Sequence, residues 1–262
     1  MLRAMYTAAS GMEAQQLNID NIAHNLANVN TSGYKVRRAQ FQDLLYQNIR
    51  QAGASNTATT EIPVGTQIGL GTKLAATEII FSQGDFASTE NPLDIVIEGQ
   101  GFFQVLMPNG QIAYTRNGNF HQNRDGNVVT SDGDLLNDQI SIPEDHTSIS
   151  VGKDGTVTVT TAGETEPQTV GRIELALFRN PSGLEPIGKS LLLPTLASGD
   201  PITGTPGEIG LGTLMSGYVE QSNVSVVEEM VNMIISQRAY EANSKVIRTA
   251  EEMFSQANNV VR

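Results

Sequence analysis

Three histidines and a scatter of acidic residues are the side chains with which this sequence could do chemistry. His24 has no second ligand four residues on, and His121 and His146 stand apart from one another in a chain without cysteine. Zinc-type sites need several His or Cys at short fixed spacings, so no transition-metal site is expected. His121, Asn123, Asp125, Gly126 and Asp132 follow part of the beat of a calcium loop. A histidine stands in place of the first carboxylate, an aspartate in place of the bidentate glutamate, and the flanks read as strands, so the expectation is a turn. Gly99-Gln100-Gly101 lacks the Gly-Lys-Ser/Thr ending and the following helix of a phosphate loop. Asp132, Asp134, Asp138, Glu144 and Asp145 offer carboxylate pairs of the kind that hydrolyse glycosides. Carboxylates in polar turns are ordinarily solvated, and nothing in the sequence points to a raised pKa. The sequence therefore predicts no catalytic residue, no metal and no cofactor.

The stronger pattern lies at the two ends. Val219, Val226, Met233, Tyr240, Ile247, Phe254 and Val261 are apolar and seven apart. Met5, Met12, Ile19 and Leu26 keep the same beat, with Ile22 and Val29 extending the stripe. Heptad spacing marks helices that pack side by side. One helix is predicted from near Leu2 to near Asn28, stopped by Thr31-Ser32-Gly33 with Gly33 as a left-handed cap. The other is predicted from Ser222 or Ser225 almost to Arg262, a rod of roughly 50 Å. Its second seam, Met230, Gln237, Ser244, Glu251 and Asn258, is mostly polar, so neighbouring copies are expected to complete the packing. Packing on the chain's own β domain is the alternative. Asn18, Asn21, Asn25 and Asn28 put four amides on one face of the first helix. Asn disfavours helix, so the row is either a solvated face or a partly buried helix contact, which amides suit because they both donate and accept.

The length, 262 residues, allows one large domain or two small ones. A net charge of −12 argues against nucleic acid, with Lys35, Arg37 and Arg38 the one basic cluster. No apolar run is long enough for membrane insertion, and Thr7, Ser10, Glu13 and Gln15 interrupt any signal-peptide core. Gln51 to Lys73, rich in Gly, Thr, Ala and Ser, reads as an extended connector. Its Ile62, Val64, Ile68 and Leu70, with Pro63 restricting the path, are expected to cover neighbouring subunits. From Leu74 the pattern turns to strands. Asn109-Gly110, Asn117-Gly118, Asp125-Gly126, Asp132-Gly133 and Asp154-Gly155 mark hairpins. The expected fold is α+β multidomain. A discontinuous coiled-coil-like helical domain (1–30 plus 222–262) carries polymerisation. A connector region (31–73 plus 198–221) follows, and an all-β outer domain occupies 74–197.

Three motifs carry a family resemblance. Ala27-Asn28-Val29-Asn30-Thr31-Ser32-Gly33-Tyr34-Lys35 resembles the N-terminal signature of bacterial flagellar rod and hook proteins. Gln237-Arg238-Ala239-Tyr240-Glu241-Ala242-Asn243-Ser244-Lys245 resembles their C-terminal signature. Gly99-Gln100-Gly101-Phe102-Phe103-Gln104-Val105 with Thr115-Arg116-Asn117-Gly118 resembles the central one. His24 departs from the pattern, standing where the family often has Asn. Phe41-Gln42-Asp43-Leu44-Leu45-Tyr46-Gln47 looks most like the distal-rod branch, and the length fits it; a proximal rod or short hook subunit is the alternative within the family.

The resemblance implies an open helical homopolymer forming the distal rod of the basal body, from the periplasm to the outer-membrane region. It implies export by the flagellar type III apparatus without a cleaved signal. The implied partners are copies of itself, proximal rod and hook proteins, and the surrounding rings. The expected polymerisation surface is Met5, Met12, Ile19, Ile22 and Leu26 of the first helix, Val226, Met233, Tyr240, Ile247, Phe254 and Val261 of the second, and the amides Asn18, Asn21, Asn25 and Asn28. From other classes, a cell-wall-acting hydrolase carried on assembly helices and a carbohydrate-binding β module remain open; the latter leaves the heptads unexplained.

Overall fold

In a computed structural model, residues 2–50, 55–57, 60–61, 64–138, 140–161, 166–208 and 210–260 are described. They form two compact units, one of residues 1–27, 37–79 and 225–262, the other of residues 28–36 and 80–224. Terminal helices and a β-rich central region make the chain α+β and multidomain.

The first unit holds both long helices, α1 (Leu2–Ala27) and α2 (Val226–Val260). Ser225 starts α2: its carbonyl accepts the Glu229 amide at 3.0 Å, and Glu228 and Glu229 place negative charge in the first turn, where the helix dipole favours it. The unit also contains a long hairpin that the sequence does not announce. Strand Arg37–Asp43 pairs antiparallel with Thr72–Ile79, and Tyr46–Arg50 with Thr66–Gly69. The stretch read as connector is thus strand-paired over much of its described length. Arg37–Asp43 carries no apolar alternation in the sequence, its only large apolar residue being Phe41. α1 ends at Ala27, before the predicted stop.

The second unit is built on a nine-stranded sheet centred on Phe102–Leu106. This strand pairs with Ile112–Thr115 on one side and with Leu135–Leu136 and Leu175–Leu177 on the other. Its alternation sends Phe103 into a core with Phe120, edge-to-face at 5.1 Å, and with Ile95, Ile97, Leu136, Ile173 and Leu175. A separate three-stranded sheet, His146–Val151, Thr156–Thr161 and Gln168–Arg172, adds Val157 and Val159 to that core. Four of the five turn dipeptides close hairpins, since the following strand pairs back on the preceding one. The fifth, Asn117-Gly118, does not. Gly118 is there for close approach: a Cβ would lie 1.6 Å from the Ile95 carbonyl oxygen.

Beside this sheet, the Asp138 carboxylate accepts the Glu174 amide at 3.0 Å, yet burial, opposed by that bond, raises its pKa from 3.8 to about 6. The folded chain takes up this proton near pH 6 and the unfolded chain near pH 3.8. The ionised group therefore weakens the fold above about pH 6, and the penalty fades as the pH falls towards 3.8. Asp138→Asn should raise the melting temperature at pH 8 and leave it unchanged near pH 4. After discounting for partial exposure, the gain is about 1–2 kcal/mol. A gain of equal size at both pH values would show that charge is not the cause.

Candidate assembly interface

The residues with chemical promise do not converge. Among the described residues no three His, Cys, Asp or Glu side chains gather as a metal site. The calcium-like segment is a turn in which Asn123 Oδ1 accepts the amides of Asp125 and Asn127 at 2.9 and 2.8 Å. His146 Nδ1 lies 2.8 Å from the Pro143 carbonyl oxygen, and Asp132 faces Lys189 at 3.8 Å. Around Gly99 and Gly101 it is carbonyls, not amides, that converge, and they accept from Arg116 at 2.9 and 2.8 Å. That polarity is opposite to what a phosphate needs.

The terminal helices meet along a seam of polar and small residues. Asn18 Nδ2 donates to Ser236 Oγ at 2.8 Å, and Asn25 Nδ2 approaches Glu229 Oε2 at 3.4 Å. A Cβ on Gly11 would sit 2.9 Å from Asn243 Nδ2. The pairs 11/243, 18/236 and 25/229 step by seven in opposite directions, so the helices are antiparallel with heptad-spaced contacts. The seam is not the apolar one that the sequence beat leads one to expect. The beat residues flank it: Met5, Met12, Ile19, Leu26, Met233 and Ile247 are half-buried, and Val226, Tyr240 and Phe254 are exposed. Ile22 is buried, while Val261 lies outside the described residues.

All four amides have partners within the chain. Asn25, 1% exposed, clamps the Arg37 backbone, accepting its amide at 3.0 Å and donating to its carbonyl at 2.8 Å. Asn21 donates to the same carbonyl at 2.9 Å. Asn28 Oδ1 accepts the Thr31 hydroxyl at 3.2 Å. His24 is exposed, its pKa lowered by partial burial and by the charge of Arg37. Burial raises the pKa of Glu229, against the Asn25 hydrogen bond.

On the hairpin, Leu45, Tyr46, Ile49, Val64, Ile68 and Leu70 are exposed. Ile62 and Pro63 lie outside the described residues. A two-stranded ribbon with so much apolar surface is not self-sufficient in water.

In the second unit two of the three resemblance motifs, the N-terminal and the central one, meet at a buried ionic node. Glu220, 1% exposed, lies 2.5 Å from Lys35 Nζ through Oε1 and 3.2 Å from Arg116 Nε through Oε2. Lys35 also donates to the Ser82 carbonyl at 2.7 Å, and Glu220 accepts the Gly84 amide at 3.0 Å. Gly33 donates its amide to the Glu220 carbonyl at 2.8 Å. Gly33 has φ +70°, but it does not cap α1. It is needed because a Cβ would strike the Asn117 nitrogen at 2.6 Å. The pKa of Lys35 is lowered, chiefly by burial, although Glu220 opposes the shift.

Comparison with known proteins fits this geometry. Three family models match: the flagella basal body rod protein at residues 5–35, the flagellar hook protein FlgE/F/G D1 domain at 96–159 and the flagellar basal body rod FlgEFG protein C-terminal at 215–260. The chain is 48% identical over 264 residues to flagellar basal-body rod protein FlgG of Borreliella burgdorferi, covering 100% of both. The chain belongs to the flagellar basal-body rod protein family. It is also 48% identical to the FlgG of Caulobacter vibrioides and 39% identical to that of Bacillus subtilis, again over 100% of both chains. In this rod protein the matched segments hold the three helix-seam pairs and the three charged side chains of the node. Gly11, Asn18, Asn25 and Lys35 lie in the first, Arg116 in the second, and Glu220, Glu229, Ser236 and Asn243 in the third. Glu220, Glu229, Ser236 and Gly11 did not stand out in the sequence, and Asn243 did so only within the C-terminal motif. The signal was there, since Gly11, Asn18 and Asn25 on one side and Glu229, Ser236 and Asn243 on the other are each seven apart. A search for apolar periodicity passes over them.

Proposed function

We propose that this rod protein is the structural subunit of the distal rod, the drive shaft that transmits torque through the basal body to the hook. The observation that carries the reading is the division of labour on the helices. Their polar seam is used inside the chain, while Val227, Met230, Val231, Ile234 and Ile235 of α2 stand exposed. Such a stripe asks for neighbours, and a repeated heterologous contact that does not close gives an open helical polymer.

On this reading the helical unit carries polymerisation through the flanks of the apolar beat, and the β unit is the outer part that meets the rings. The chain leaves the cell through the flagellar type III export apparatus without a cleaved signal. It joins proximal rod below and hook above, across the periplasm to the outer-membrane region. It acts as a structural part, with no catalysis. The exposed hairpin residues Val64, Ile68 and Leu70, with Ile62, lie against adjacent subunits and stiffen the shaft.

One experiment tests both parts. Basal bodies from cells lacking the chain should show a rod that stops short and carries no hook. Cells with residues Ala54–Thr60 deleted should build rods of altered length, curvature or stiffness. Complete rods in the first case overturn the function; unaltered rods in the second reduce the hairpin to a passive linker.

A further inference from the structure

The helical unit carries an apolar groove as well as an apolar stripe. The groove, ≈ 1020 Å³, is lined by Leu2, Ala8, Ile68, Val246 and Phe254 among others. It lies where the start of α1 meets the later part of α2. Arg3 is the one charged residue among its described lining residues.

The stripe lies at the other end of the helix pair. Val227, Met230, Val231, Ile234 and Ile235 fall at i, i+3, i+4, i+7 and i+8. That is one helical face, about half a turn around α2 from the buried positions Glu229 and Ser236. Its five residues are between 49% and 74% exposed. Glu228 borders it, and residues 225–237 contain no basic side chain.

We infer that the groove of one copy receives the Val227–Ile235 face of α2 from the next copy. This rests on the rod reading above and names the contact that would make it a polymer. Size agrees: the nine-residue stripe is about 13 Å long, and the groove runs along about 10–17 Å of its two helices. The chemistry agrees too, because an amphipathic helix docks by anchors at this spacing into an apolar cleft. Charge is complementary, with Glu228 at the stripe and Arg3 in the groove. Placement decides the symmetry. Stripe and groove are centred about 26 Å apart along α2, so joining one to the other stacks copies head to tail and leaves a free groove and a free stripe at every stage.

The chain has no cysteine, so introduced thiols report the contact directly. The double variant V231C/V246C is incorporated into rods, and the rods are oxidised and run under denaturing, non-reducing conditions. A ladder of dimers, trimers and higher species is expected from the double variant, and monomer alone from either single variant. Dimers from V231C or V246C alone, or monomer alone from the double variant, overturn the contact. Rods are counted by electron microscopy in the same sample. Failure to cross-link within intact rods removes this contact and leaves the rod reading standing, whereas absence of the chain from rods removes both. A charge exchange guards against poor thiol geometry. R3E and E228R should each lose most rod assembly, and R3E/E228R should recover it; no recovery overturns the pairing.

Discussion

Glu220→Gln should lower the melting temperature of the chain by roughly 10 °C. Glu220 is the one carboxylate between two buried cations, Lys35 and Arg116, each less than a tenth exposed. With the carboxylate present, the node carries one excess positive charge, tolerable because Lys35 and Arg116 also donate to the carbonyls of Ser82, Gly99 and Gly101. Glutamine keeps the shape and removes the compensation. Arg116 cannot shed its proton, so Lys35 must lose its own or the node must open to water. Breaking a buried pair from the minority side costs about 3–5 kcal/mol, and each kcal/mol moves the midpoint of a unit this size by about 2–4 °C. Lys35→Met is the contrasting case. It leaves Glu220 and Arg116 as a balanced pair and fills the space of the lysine stem with apolar atoms, so its effect should be several-fold smaller. Thermal unfolding of both variants, followed by circular dichroism, makes the comparison. Equal losses would mean that the node matters for packing and not for charge balance.

What was legible in the sequence was local. Asp125-Gly126 and Asp154-Gly155 close hairpins because a left-handed glycine after Asp is a property of two adjacent residues, and both glycines have φ +83°. The helices were legible because their periodicity repeats over many turns. Missed were features made by residues far apart in the chain. Lys35, Arg37 and Arg38 read as one basic cluster, yet they have three different roles. Lys35 is buried on Glu220, the Arg37 backbone holds Asn21 and Asn25, and the Arg38 side chain is exposed beside Glu78 at 4.0 Å. Strand Arg37–Asp43 carries no pattern of its own and is a strand because Thr72–Ile79 offers it an edge. On α2 the sequence points to an apolar seam through Met233 and Tyr240 and a weaker one through Met230 and Gln237, whereas the contact with α1 runs through Glu229 and Ser236. The eye follows hydrophobicity, and this contact is made of an amide, a hydroxyl and a carboxylate.

Ile247→Asp should abolish rod assembly while leaving the β unit as stable as before. Ile247 is half-buried on α2, between the seam residue Asn243 and buried Ala250. The seam itself gives little apolar stabilisation, because its pairs are Gly11 with Asn243, Asn18 with Ser236 and Asn25 with Glu229. The half-buried apolar flank is therefore what holds α1 and α2 together, and on the proposed function it also faces neighbouring copies. An aspartate there loses the apolar contact and places a charge in a half-buried apolar flank, at about 2–5 kcal/mol per subunit. In a polymer the same loss recurs at every copy, so a modest change per subunit becomes the absence of rods. Met233→Asp should act alike. The β unit has its own core around Phe103 and Phe120, so its melting transition should not move. Glu241→Ala, on an exposed position of the same helix, is the control and should assemble normally. Electron microscopy of basal bodies and calorimetry of the purified chains read the two halves separately. Rods in normal numbers from Ile247→Asp chains would mean that this helix flank is not part of the contact. A β unit that melts early would mean that the two units depend on each other for stability.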